Sequence, residues 1–161
     1  MTSIRRCHDV DLILDLDRRI MKRASLLGPK AVERGAWWVA YDGHKPIAYA
    51  GVCEGLEEWK GLGYMDRCGV LKAYRGQGIH RRMIKVRERW AKKQGWKGLW
   101  TYTVPWNAYS SNNLIACGWQ LFEPKWISYE ENLVCWVKCF DGRSWLDLSL
   151  AEGRPKRKKA A

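Results

Sequence analysis

The spacing of apolar residues changes repeatedly along the chain, and each change marks an element. Ile4 begins a stretch that reads as a strand. After Asp9, a residue type suited to capping a helix, Val10, Ile13, Leu14, Asp17 and Ile20 recur at helical spacing, with Asp17 as one polar interruption. Gly28-Pro29 breaks whatever helix follows. Residues 36–41 (Ala-Trp-Trp-Val-Ala-Tyr) and 46–52 (Pro-Ile-Ala-Tyr-Ala-Gly-Val) are apolar runs around an Asp42-Gly43 turn, the pattern of a β-hairpin. A looser, Gly-rich stretch over 54–63 leads to a third apolar segment, 64–71, read as one strand. From Gly78 to Gln94 the period becomes helical: Ile79, Met83, Val86 and Trp90 share one face, and Arg82, Lys85, Arg89, Lys92 and Lys93 occupy the other. Gly95 suits the C-cap of that helix. Residues 99–104 predict a further strand, 110–117 a short helix ended by Gly118, and 119–122 with 132–140 a closing hairpin. Residues 143–150 add a short element. After Glu152 the apolar pattern stops, and 153–161 read as a disordered basic tail.

Composition narrows the class. The chain has 161 residues, 47% hydrophobic and 29% charged, which suits one domain with a sizeable core (1–152) and excludes disorder throughout. No apolar run approaches the roughly 20 residues that span a bilayer, and no apolar stretch follows the N-terminal basic pair, so the expected location is cytoplasmic, with no membrane partner. Six scattered cysteines without a C-x-x-C pair are expected to be reduced thiols. Three histidines without zinc-like spacing imply no metal site.

Charge adds a second constraint. Lys and Arg number 29 against 17 Asp and Glu, a net +12, and Arg154, Lys156, Arg157, Lys158 and Lys159 crowd into the tail. The remainder is still basic, which favours an anionic partner: nucleic acid, an acidic protein or a phosphate-rich cofactor. The 11 tryptophans, against two phenylalanines, are expected mostly in the core or at its rim.

The segment from Val70 to Ile84 carries the most chemistry. A strand enters a loop with two glycines, Gly76 and Gly78, and the loop opens directly into a helix. Such glycines admit a ligand close to the backbone, and the unpaired amides and positive dipole end of the first helical turn suit a diphosphate. Arg75 and Arg81 add charge. No Gly-Lys-Ser/Thr follows and no G-x-G-x-x-G is present, so the loop is neither a Walker loop nor a dinucleotide fingerprint.

On these residues the chain resembles the Gcn5-related N-acetyltransferase (GNAT) family. The family's acetyl-CoA motif, Arg/Gln-x-x-Gly-x-Gly/Ala, is matched by Arg75-Gly76-Gln77-Gly78-Ile79-His80, with His80 in the last small-residue position. Residues 4–11, 38–51, 66–71 and 107–119 are similar, in order, to the first strand and helix, the second hairpin, the strand before the loop, and the segment that ends in Gly-Phe in many members. The resemblance covers most of residues 1–140. It implies an α/β (α+β) domain with a central mixed, mostly antiparallel sheet flanked by helices, splayed in a V between strands ending near Val70 and Val104. It implies acetyl-CoA as co-substrate, with the backbone of Cys68, Gly69 and Val70 on pantetheine, the amides from Arg75 to Arg81 on the pyrophosphate, and Asn107 beside pantetheine. His80 sets a larger side chain against the phosphates.

Acetyl transfer needs a neutral amine, a group to take its proton, a polarised carbonyl and an acid for the departing thiolate. The resemblance assigns the polarising amide to Val70. Its usual acid, a tyrosine five residues before the closing aromatic, falls here on Leu114, so Tyr109 and Ser110 are the substitutes. For the base, alternation along 64–70 sets Tyr64, Asp66, Cys68 and Val70 on one face, and Asp66 is its carboxylate. A salt bridge from Asp66 to Arg67 or a helix arginine is the plainer alternative. Glu57 and Glu58 are weaker base candidates, and Tyr102 offers a polar wall across the gap. Cys68 and Cys117 read as core thiols, with no histidine placed to activate either. The expected activity is N-acetylation of a primary amine on a protein, a small molecule or a nucleic acid. The alternative is a catalytically impaired GNAT-fold module that holds nucleic acid or a protein through its basic, Trp-rich surface.

Overall fold

The computed structural model describes residues 2–55, 61–122 and 132–142. The chain starts with β1 (Thr2–Cys7) and α1 (Val10–Met21), whose N-cap Asp9 accepts the Leu12 amide at 2.9 Å. A 3₁₀ turn (Lys22–Ala24) leads to α2 (Pro29–Arg34). Here the Gly28-Pro29 pair opens a helix rather than breaking one: Pro29 sits in the first turn, where its missing N–H costs nothing. The hairpin β2 (Ala36–Asp42) and β3 (Lys45–Glu54) follows, with β1 antiparallel on the other edge of β2.

The expected single strand 64–71 is two. β4 (Leu62–Tyr64), which begins inside the stretch read as loose, and β5 (Cys68–Val70) both pair with β3, on either side of an irregular step at 65–67. α3 (Ile79–Lys93), β6 (Gly98–Thr103), α4 (Ala108–Ala116), β7 (Gln120–Phe122) and β8 (Val134–Cys139) complete the described elements. The sheet runs β1-β2-β3-β4-β6-β8-β7, antiparallel except for the parallel β4–β6 pair. The expected 143–150 element and the tail lie outside the described residues.

Helices cover both faces of β2 and β3, which is why these strands read as nearly unbroken apolar runs. Trp37, Val39 and Tyr49 pack with Ile13 and Leu16 of α1, while Trp38, Ala40 and Val52 join Ile79, Met83 and Ile84 of α3 and Leu114 of α4. Each large side chain so buried contributes roughly 1.5–3 kcal/mol. A third cluster, Leu62, Trp100, Phe122, Cys135 and Val137, forms where β4, β6, β7 and β8 meet.

Polar residues share this core. Val86 and Trp90 of α3 are only half-buried, whereas Arg87 is 1% exposed and Glu88 is buried. Glu88 accepts from Trp119 Nε1 (2.8 Å) and Lys138 Nζ (3.0 Å), tying α3 to β8. Asp17, the interruption in the α1 stripe, is fully buried and accepts from the hydroxyls of Ser25 and Tyr49, with Arg67 Nη1 at 3.6 Å.

Candidate active site

The sheet opens between β5 and β6. β4 pairs with β6 up to Tyr64 opposite Trp100; the Met65 amide then donates to the Trp100 carbonyl (2.9 Å), and Thr101 Oγ1 donates to the Met65 carbonyl (2.8 Å). Beyond that point, among the described residues, β5 pairs only with β3, and Tyr102 and Thr103 only with β8. The V therefore stands where the strands end at Val70 and run on to Val104.

Arg87 holds the apex. Its Nη1 donates to the carbonyls of Gly51 (3.0 Å) and Asp66 (3.1 Å), and its Nε to Met83 (3.1 Å), so one buried guanidinium joins α3, β3 and the step between β4 and β5. Sequence reading missed it, because an arginine in a basic helix looks like every other surface cation.

Hydrogen-bond alternation in an antiparallel pair fixes which backbone groups of β5 face the gap. The Leu71 amide donates to Ile47 and the Arg67 carbonyl accepts from Gly51, both at 2.9 Å, so the odd-numbered residues bond β3. The N–H and C=O of Cys68 and Val70 point the other way, into the gap. Gly69 departs from its expected role: its polar groups go to β3, and a Cβ there would stand 2.6 Å from Tyr49 and 2.8 Å from Ile20. Its value is close packing under α1.

At the mouth of the gap, Gly76 (φ 79°) and Gly78 (φ 71°) take left-handed backbone angles, and a Cβ at either would project into open space. The first amide bonded within α3 is that of Arg82, to the Gly78 carbonyl. The amides of Ile79, His80 and Arg81 thus remain for an anion, and with the exposed Gln77 loop they form a cradle that fits a diphosphate. Arg75 Nε meanwhile donates to the Val70 carbonyl (3.1 Å), and Arg81 Nε to Asn113 Oδ1 (2.9 Å). Asn107 caps α4, its Oδ1 accepting from the Ser110 amide (3.2 Å).

Two expectations need correction. The set Tyr64, Asp66, Cys68 and Val70 does not share one face: Tyr64 packs in the Trp100 cluster, while Met65, Cys68 and Val70 pack toward α3. The irregular step at Asp66 and Arg67 shifts the alternation. The ring of His80 does not lie against the phosphate cradle either; it turns toward α4, with Nδ1 3.1 Å from Asn113 Nδ2.

Asp66 accepts the amide of Arg67 (2.7 Å), and Arg67 directs its guanidinium to Asp17 and the Ala24 carbonyl (3.1 Å). Arg87 binds the Asp66 carbonyl and leaves the carboxylate alone, so neither expected ion pair forms. Burial pushes the Asp66 carboxyl above the ordinary aspartate value, against the opposing pull of the Arg67 amide and the charges of Arg67 and Arg87. Tyr64, close enough to feel Asp66, stacks on Tyr102 with ring centroids 6.1 Å apart and meets the Trp100 ring at a tilt of 44° and 4.7 Å, and burial raises its hydroxyl strongly. Asp66, Tyr64 and Tyr102 make a polar and aromatic wall on one side of the gap. On α4, Leu114 is buried in the core and Tyr109 is 87% exposed. Glu57 and Glu58 lie outside the described residues.

A sheet splayed at its centre, with free strand amides inside the split and a glycine cradle at a helix N-terminus beside it, defines a class of acyl-transferring proteins. The acetyltransferase (GNAT) family model matches residues 9–119, and the chain belongs to that family. Solved structures agree in fold. A Bacillus anthracis str. Ames protein in complex with acetyl coenzyme A is 18% identical, with a TM-score of 0.69, over 88% of this chain and 99% of that one. The ribosomal-protein-S18-alanine N-acetyltransferase of Escherichia coli is 16% identical, with a TM-score of 0.69, over 89% and 97%. A Bacillus subtilis acetyltransferase in complex with CoA is 12% identical, with a TM-score of 0.72, over 87% and 99%. No curated protein matches by sequence.

Proposed function

We propose that the chain moves the acetyl group of acetyl-CoA to a primary amine. The observation that carries this is the pairing of the glycine cradle with the Cys68 and Val70 amides, which β3 leaves facing the gap. One suits a pyrophosphate and the other an amide-bearing arm, and the two are joined by only the turn through Arg75. Relatives of the same fold crystallised with CoA or acetyl coenzyme A support it. Bound acetyl-CoA supplies an activated acyl group and a thiolate leaving group. The Cys68 and Val70 amides hold the arm, and that of Val70 polarises the carbonyl. Asp66, raised toward neutrality by burial, takes the amine proton directly or through water. The acceptor is a primary amine on a protein, a small molecule or a nucleic acid. No helix among the described residues is long and apolar enough to cross a membrane, and a cytoplasmic setting fits a CoA donor.

Gly78→Val tests the cradle. A branched side chain at a positive φ both strains the loop and fills the open space, so acetyl-CoA affinity is expected to fall about tenfold or more, 1.4 kcal/mol at least. Unchanged calorimetric affinity would sink the reading.

One observation favours a second partner. Lys85, Arg89, Lys92 and Lys93 stand exposed along the outer face of α3, away from the cradle. If this face holds a phosphate backbone, binding to duplex DNA or RNA weakens steeply with salt, and removing 153–161 makes the slope shallower. Salt-independent binding, or none at low salt, removes nucleic acid from the account.

A further inference from the structure

The irregular step between β4 and β5 is held at three points through Arg67. Its amide donates to Asp66 Oδ1 (2.7 Å), its carbonyl accepts from the Gly51 amide of β3 (2.9 Å), and its guanidinium leaves the sheet toward α1. There Nη1 donates to the Ala24 carbonyl (3.1 Å) and stands 3.6 Å from Asp17 Oδ1. Asp17 is a firm anchor: fully buried on α1, it accepts from the hydroxyls of Tyr49 on β3 and of Ser25 just past the 3₁₀ turn. A line of contacts thus runs from α1 through Arg67 to the carboxyl of Asp66.

An amide that donates to the carboxylate of the preceding residue fixes that carboxylate only while the peptide plane itself is fixed. Here the plane between Asp66 and Arg67 is held from both helical layers. Its carbonyl accepts from Arg87 Nη1 (3.1 Å) on the α3 side, and the residue that carries its N–H is tied to α1 by its own side chain. Oδ1 is therefore committed, and Oδ2 is the oxygen left for a proton. The charges agree with this arrangement. Arg67 and Arg87 favour the ionised form of Asp66, Asp17 opposes it, and Tyr64 of β4 and Cys53 of β3 both feel its charge.

We propose that Arg67 is the positioning residue of the base: anchored on Asp17 and the Ala24 carbonyl, it holds Asp66 Oδ1 through its amide and leaves Oδ2 to take the amine proton. The inference rests on the reading of Asp66 as that base. Arg67 itself touches no reacting atom. Its guanidinium, pointed away toward α1, acts through the amide that it steadies and through its charge.

The test is a pH titration by NMR of the full chain with carbon-13 in its aspartate carboxyls, and it needs no acceptor. Asp66 is the carboxyl signal that Asp66→Asn lacks. In the unsubstituted chain the Arg67 amide proton should move with the same midpoint as that signal, because it donates to the titrating group. In Arg67→Met the midpoint should rise further, since a cation that favours the ionised form is gone, and the amide at position 67 should no longer follow it. Arg67→Lys, which keeps a cation, should bring the midpoint back toward the parent value. Where Arg67→Met does not fold, Arg67→Gln leaves a donor within the reach of Asp17 and should show the same rise. A midpoint in Arg67→Met or Arg67→Gln no higher than the parent's, or an amide that still follows it in Arg67→Met, overturns the inference. Asp66 then stands as the base on the activity lost in Asp66→Asn. Full activity in Asp66→Asn overturns both.

Discussion

Asp66→Asn is expected to acetylate at least about 100-fold more slowly than the unsubstituted chain, once an acceptor is in hand, while binding acetyl-CoA almost equally well. The asparagine keeps the oxygen that accepts the Arg67 amide, so the step between β4 and β5 retains its shape, and only the proton-accepting capacity goes. The same substitution should stabilise the fold. Because burial raises the Asp66 carboxyl in the folded chain, the unfolded chain ionises first as pH climbs past the ordinary aspartate value of about 3.9. Stability is lost through the window up to the folded value, and the deficit is complete above it. Asp66→Asn should therefore melt higher than the parent at pH 7, with the difference gone near pH 3. For the same reason the acidic limb of kcat should fall at a pH above the ordinary aspartate range. Tyr109→Phe, at an 87% exposed ring, should cost much less. Full activity in Asp66→Asn, or a large loss in Tyr109→Phe, reverses the assignment of the base.

The parts of this site that follow from local chain chemistry were readable in advance. Gly76 and Gly78 signal a left-handed loop wherever they fold, and the apolar runs around Asp42-Gly43 admit little but a hairpin. What depends on contacts between distant segments was not readable. Periodicity gives no sign that Arg87 and Glu88 are buried, yet both are, because each finds partners far away in sequence: Gly51 and Asp66 for one, Trp119 and Lys138 for the other. Alternation fails at Asp66 and Arg67 because no sequence rule places a bulge. His80 and Asn113, 33 positions apart in sequence, show the same limit. The only sequence signal was negative, an oversized residue where the family motif holds a small one. Its meaning becomes visible only with α4 packed over the first turn of α3.

Arg87→Met should be the most destabilising single change at the site. The thioether fills much of the same volume but donates nothing, leaving the Gly51 and Asp66 carbonyls without the guanidinium in a region closed to water. Leaving a buried acceptor without its donor costs about 1–3 kcal/mol, and two are left here, a large part of the roughly 5–15 kcal/mol that holds a domain together. Urea unfolding should show a lower midpoint with little change in slope. Arg87→Lys should recover only part, since an ammonium on a flexible stem cannot match a rigid guanidinium that reaches the Gly51 and Asp66 carbonyls with Nη1 while Nε holds the Met83 carbonyl. Arg89→Met, on the exposed face of the same helix, should stay within about 0.5 kcal/mol. Function should suffer beyond stability: with the apex untied, the Asp66 carboxylate and the Cys68–Val70 edge lose their fixed relation, so the folded fraction of Arg87→Met should still turn over more slowly than the parent. Equal midpoints for Arg87→Met and Arg89→Met would show that the splay is held by strand pairing alone.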